Sequence, residues 1–316
     1  MGIVSGLRVA SLFVAYAGVG WTGEQVADLV ARDATQRDQV EFDVDIDFES
    51  EIARRVERDI RVEVRTLRGE ECAVELERGL TIPWDGAELL AIDAGAGSLR
   101  VEGVEGSGEV RVIGRVCASS AALAEDLQLT LERVDGELRL SAHYPDDATF
   151  WRGGNRTARI DLEVTVPRGS ALDIDDSSGE IEVAGSGALQ IDDSSGEIVV
   201  RDALGSVTID DSSGEILVAG AAGDVDIEDG SGEIDVRGVE GSVLVRDGSG
   251  SIQVSDVTQS VRVEADGSGS IDVRNVGGDF VVDRDGSGGI RHSGVAGAVD
   301  IPERQSARER RARRDL

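Results

Sequence analysis

The sequence predicts an all-β protein: a parallel β-solenoid (β-helix) with rungs of about 18 residues, preceded by a less regular N-terminal β region. Three observations carry this. Glycines recur at Gly179, Gly196, Gly214, Gly232, Gly250, Gly269 and Gly288, with spacings of 17, 18, 18, 18, 19 and 19. The stretch IDDSSGEI stands three times, at residues 174–181, 191–198 and 209–216. The chain of 316 residues holds 41 glycines and 40% apolar residues but only 3% aromatics, which suits a thin core layered from Val, Ile and Leu.

Aligned on those glycines, the apolar residues form columns. Val207, Val225, Val243, Val261 and Phe280 make one, and Ile209, Ile227, Val245, Val263 and Val282 the next. After the glycine come Ile216, Ile234, Ile252, Ile271 and Ile290, then Val218, Val236, Val254 and Val273, and last Ala221, Val239, Val257, Val276 and Val295. Each strand alternates with period two, one face inward and one outward, and three short sides per turn satisfy the pattern. The left-handed hexapeptide helix needs an apolar residue every six positions, whereas inward spacings from Val243 run 2, 7, 2, 3 and 4. General crossover rules therefore favour a right-handed coil.

Residues 1–22 read as a secretory signal. Arg8 precedes the apolar run VASLFVAYAGVGW, Ala15-Tyr16-Ala17 supplies a small-x-small cleavage pattern, and the run is short for a membrane span. No membrane span is expected in the mature chain; the opposing reading is an ordinary buried segment. Residues 23–83 form an N-terminal extension or cap that mixes the helical pattern EQVADLVARDA with the alternating VEFDVDIDF. Residues 84–302 form the solenoid domain, with regular rungs over 172–301. Ahead of those rungs, LAIDAGAGSLRVEG repeats the strand, corner, strand order, and LQLTLERVDGELRLSAHY reads as a hairpin around Asp135-Gly136. RIDLEVTVPRGSALDI then feeds the regular stack. Pro302, which has no N–H to donate, blunts the far edge. Residues 303–316, ERQSARERRARRDL, carry six arginines and form either a solvated tail or a segment that docks on an acidic face or an anionic envelope component.

The net charge is −31, from 63 acidic and 32 basic residues, and every basic residue is arginine. Such a field repels nucleic acid and anionic membranes. Cys72 and Cys117 are the only cysteines; they form either a disulfide, worth roughly 3–4 kcal/mol, or two buried thiols.

Acidic residues also form columns at the corners. Asp176, Asp193, Asp211, Asp229, Asp247, Asp266 and Asp285 make one, Asp175, Asp192, Asp210 and Glu228 a second, and Glu180, Glu197, Glu215 and Glu233 a third. Catalytic carboxylates come as one or two placed residues in a cleft, so repetition in every rung points to structure and no catalytic residue is expected. Two structural readings remain. An Asp before Ser-Gly can accept backbone N–H groups across a turn while solvent and those bonds offset the repulsion between rungs. Alternatively calcium bridges adjacent corners, with Asp175, Asp176, Asp192, Asp193, Asp210, Asp211 and Asp229 as candidate ligands. No other cofactor is implied. GVGWTG at 18–23 fits GxGxxG, but the strand that follows alternates instead of being buried on both faces, and DVDIDFESE fails as an EF-hand because Phe48 occupies the glycine position. His143 and His292 stand apart from any metal-spaced cluster, and His292 replaces an inward valine at the end of the stack.

The segment RIDLEVTVPRGSALDIDDSSGEIEVAG, followed by repeated strand, Ser-Gly-Glu-Ile and strand units, resembles the bacterial putative-adhesin family of β-solenoid domains of unknown function. The likeness covers about Leu90 to Pro302. It implies an extracytoplasmic or envelope-associated protein and brings no catalytic residues. The expected function is a non-catalytic, exported solenoid, periplasmic or at the cell surface, whose acidic repeat face binds an envelope or surface ligand. The alternatives are self-association end to end as a structural polymer, a calcium-stabilised scaffold and, least favoured, a carbohydrate-active β-helix enzyme.

Overall fold

The computed structural model describes residues 41–42, 63–67, 72–145 and 157–302. The apolar run at 9–21, the GVGWTG motif, the helical pattern at 24–34, most of VEFDVDIDF and the arginine-rich tail lie outside the described residues.

The described chain is a parallel β-solenoid of about seven turns with rungs of about 18 residues. Its columns are those of the sequence alignment. Val207, Val225, Val243, Val261 and Phe280 pair in register, as do Ile216, Ile234, Ile252, Ile271 and Ile290. Ile234 is fully buried between Ile216 and Ile252, and burying such a side chain stabilises by about 1.5–3 kcal/mol.

The three sides expected per turn are strung on two strands. Val225–Asp229 makes one side, and Gly232–Val239 makes both of the others. The second strand is broken by one left-handed residue, at Gly220 (φ +92°), Gly238 (φ +72°), Asp256 (φ +57°) and Asn275 (φ +55°) in successive rungs. Gly, Asp and Asn tolerate that conformation at least cost. The break shifts the alternation by one, which is why Val239 points inward three residues after Val236.

The other corner depends on glycine for a second reason. Gly196 has φ +150°, and a Cβ built on it would collide with the carbonyl oxygen of Gly179 in the rung before. Gly214, Gly232 and Gly250 repeat that contact.

Stacking at the start of the solenoid departs from chain order. Strand Leu172–Ala184 follows Ala158–Pro167 in sequence but stacks on Leu90–Ala96 and Leu99–Val104, with Leu172 beside Leu90 and Val183 beside Val101. Leu90 lies in turn beside Leu138, and Val101 beside Val164. The rung of residues 90–104 therefore sits between the strands Glu137–His143 and Ala158–Pro167 and the regular stack, so the segment RIDLEVTVPRGSALDI feeds the stack only after skipping a rung.

Antiparallel strands close this end. Glu109–Ala118 pairs with Ala158–Pro167 on one side and with Val74–Pro83 on the other. Gln128–Val134 and Glu137–His143 form the predicted hairpin, with Asp135 at φ +52° and Gly136 at φ +93°. A single helical turn and a half, Ala121–Asp126, is capped by the Ser120 hydroxyl and places Leu123, Ala124 and Leu127 against the core. Cys72 and Cys117 form a disulfide that ties the chain ahead of Val74–Pro83 to this sheet.

Candidate functional site

The acidic columns occupy opposite faces of one strand. In Val207–Asp211 the burial order is buried, exposed, buried, exposed, buried, so Asp210 faces solvent and Asp211 faces the core with Val207 and Ile209. The same alternation turns Asp175 and Asp192 outward and Asp176, Asp193 and Asp229 inward. Neighbours in sequence thus lie on opposite faces of the sheet, so an ion bridging adjacent corners would draw its side-chain ligands from one column and not from both. Among the described residues no three His, Cys, Asp or Glu side chains are gathered as a metal ion would require.

The inward column runs through six rungs. Asp176, Asp193, Asp211, Asp229, Asp247 and Asp266 are each only 2–4% exposed and pair in register with one another. Asp285 continues the column through a parallel bridge to Asp266. The turn chemistry expected of them is half of what they do. One oxygen of Asp193, Asp211, Asp229 and Asp247 accepts the amide of Ser195, Ser213, Ser231 and Ser249, at 3.2, 3.0, 3.0 and 2.9 Å. The other oxygen of each is buried with no hydrogen-bond partner among the described residues.

Burial is the first cause that raises the pKa of all six. It pushes Asp176 up to about 7, helped by the Asp193 carboxylate. Asp211 and Asp247 rise to about 6; in Asp211 the Ser213 amide opposes the rise while Asp193 and Asp229 add to it, and in Asp247 the Asp229 charge adds to it. Asp193, Asp229 and Asp266 are raised as well. The column is thus a coupled set, in which the charge of one carboxylate raises the pKa of its neighbours. At its Asp176 end stands Tyr144, whose hydroxyl accepts the amides of Ala96 (3.0 Å) and Ile160 (3.2 Å) and donates to the Ala96 carbonyl. Burial pushes the Tyr144 phenol up to about 12.

The outward residues make a different surface. Asp175, Asp192, Asp210 and Glu228 are exposed in register on one side of the Ser-Gly corner, and Glu180, Glu197, Glu215 and Glu233 are exposed on the other. None of these eight carboxylates pairs with an arginine among the described residues. Further along, Arg246 enters the first column and bonds Asp226 (3.0 Å) and Glu264 (2.8 Å), so the strip ends after four rungs. The inward fate of the Asp176 column was legible in principle, because Asp176, Asp193, Asp211, Asp229 and Asp247 each stand two residues after an inward Ile or Val. Charge pointed the other way.

His143 lies beside Thr130 on the hairpin, and His292 is exposed with its ring 5.9 Å from that of Phe280. A shallow depression near His292 is lined by Asp272, Arg274, Ile290, Arg291 and Ser293.

The family described as "Putative auto-transporter adhesin, head GIN domain" matches residues 115–277, more than half of the 316 residues. The chain belongs to that family. The part of this adhesin-family chain that matches begins in strand Glu109–Ala118 and takes in both acidic columns through Asp266. Two solved structures are similar to it. A putative cell adhesion protein from Clostridium sporogenes is 14% identical, with 77% of this chain and 98% of that one covered and a TM-score of 0.26. A putative adhesin from Parabacteroides distasonis is 15% identical, with 72% and 97% covered and a TM-score of 0.35. The family assignment stands without them. No curated protein matches the chain.

Proposed function

We propose that this protein is an exported, non-catalytic solenoid that binds a cationic partner at the cell envelope through the exposed carboxylates of its first four regular rungs. The observation that carries the reading is the strip itself: eight exposed carboxylates, repeated in register and unpaired with arginine among the described residues. In-register carboxylates about 4.8 Å apart repel one another by about 1 kcal/mol in water. A cationic ligand that spans several rungs relieves that repulsion, and its binding is steered by the field.

The family's name favours adhesion over catalysis, and carboxylates repeated in every rung lack the unequal environments an acid and base pair needs. Export is favoured by the apolar run with its Ala15-Tyr16-Ala17 pattern and by the Cys72–Cys117 disulfide, a bond that persists mainly in oxidising compartments.

The test replaces Asp192, Glu197, Asp210 and Glu215 together by their amides and measures adsorption to a polylysine-coated surface. Binding is expected to weaken at least tenfold with the melting temperature unchanged or higher. Undiminished binding would remove the strip from the function. Fractionation of cells carrying a carboxyl-terminal tag should place the protein in the envelope or medium; retention in the cytoplasm would remove the export reading.

A further inference from the structure

The two ends of the solenoid differ. At the N-terminal end antiparallel strands extend the sheets and the helix Ala121–Asp126 covers the core, leaving Leu123 6% exposed and Ala124 and Leu127 fully buried. At the C-terminal end nothing among the described residues covers the last rung. Strand Gly288–Val295 pairs on one side with Gly269–Val276, and Val299–Asp300 with Phe280–Val281; their other edges carry no strand among the described residues. Inward positions that are 0–1% exposed in the rung of Val261, Val263, Ile271, Val273 and Val276 open up here. Val299 is 39% exposed, Ile290, Val295 and Ile301 are half-buried, and His292 is exposed. An apolar layer and a row of unpaired backbone groups together are a template for another chain.

Charge says where such a partner can approach. Residues 172–233 carry seventeen acidic residues and one arginine, so the flanks of the early rungs repel a second copy. Residues 261–302 carry seven acidic residues and four arginines. The open end is therefore much less acidic than the early rungs. The fourteen residues that follow, 303–316, contain no Val, Ile or Phe. A second copy can continue the buried ladders, because it brings the same rung.

We propose that two copies of this chain pair tail to tail through their C-terminal rungs, across the layer of Ile290, Val295, Val299 and Ile301. Such a contact uses the same patch on both partners and closes at two, since each far end is already covered. This separates it from a head-to-tail filament. The pairing places the two acidic strips on opposite arms of one dimer, so a surface ligand meets two sites with a joint effective concentration.

The full chain is examined by sedimentation velocity over a range of micromolar concentrations, beside Val299→Arg and Val295→Arg. The wild type should sediment at twice the monomer mass without larger species, and each variant should dissociate at least tenfold more readily with an unchanged circular dichroism spectrum. Because an end-rung variant can fray, Ala298→Cys is tested with the rung intact: Ala298 is exposed and the native cysteines are already joined, so oxidation should yield a covalent dimer across the two-fold axis. A wild-type monomer at all concentrations, a mass that climbs past two copies, or failure of the cysteine variant to cross-link would each overturn the proposal.

Discussion

Asp211 lies in register beside Asp193, one rung back, with both side chains inside the solenoid and one oxygen of each given to a serine amide. The second oxygens have no partner among the described residues, and the same relationship repeats toward Asp229 and Asp247. A column of acids buried in this way binds protons more readily folded than unfolded.

Stability should therefore fall as pH rises. Folding raises the pKa of Asp211 and Asp247 from 3.8 to about 6 and that of Asp176 to about 7. The contribution is fully present below pH 3.8 and is lost as pH passes through these folded values, because above them the folded state holds buried carboxylates. Melting temperatures in about 1 M sodium chloride, where surface repulsion is screened, should decline from pH 4 to pH 7 and then level. Asp211→Asn should flatten the decline. A melting temperature that rises across that window would refute a protonated column.

The exposed column should respond to salt without selecting calcium. Asp192→Asn with Asp210→Asn removes repulsion of about 1 kcal/mol per neighbour and should leave stability equal or slightly higher at low ionic strength. Sodium chloride should stabilise the wild type nearly as well as calcium chloride at matched ionic strength. A rise specific to calcium that disappears in the double variant would make these corners a metal site.

Gly196→Ala should destabilise the rungs, by at least about 1–3 kcal/mol, through its φ of +150° and the collision with the Gly179 carbonyl. Gly108→Ala is the control, since a Cβ there meets nothing within 4 Å. Equal losses in urea melts would mean that the corner glycine is not sterically required.

In the core, Ile234→Asp places an unpaired charge in a fully buried ladder and should cost about 4 kcal/mol or more. Asp235→Ser removes only a partly exposed ion pair with Arg237 at 3.0 Å and should cost about 1 kcal/mol or less. Circular dichroism melts decide; similar values for both would contradict the register of strand Gly232–Val239.

Much of the fold is legible because repetition writes a three-dimensional relation in one dimension. Val225 and Val243 stand 18 residues apart in sequence and side by side in the sheet, so aligning the glycines aligns the strands as well. The Asp135-Gly136 hairpin is legible for a local reason: two adjacent residues that accept positive φ suffice to turn the chain. The break at Gly238 and Asp256 is harder to find, because Gly, Asp and Asn take turns there and no single residue type marks the column.

What the sequence by itself determined is the rung: its length, its inward apolar positions, and the register of each strand on the next from Leu172 onward. What only the tertiary structure decided is which early rung lies against which, and which carboxylates water can reach. Leu172 stacks on Leu90 rather than on Leu138 although both strands offer a similar apolar face, since periodicity states which face a residue occupies but not which neighbour covers it. Asp211 is buried and Asp210 exposed although the two are chemically identical. Their environments differ only because the closed coil puts one side of the strand against other rungs and the other side against solvent.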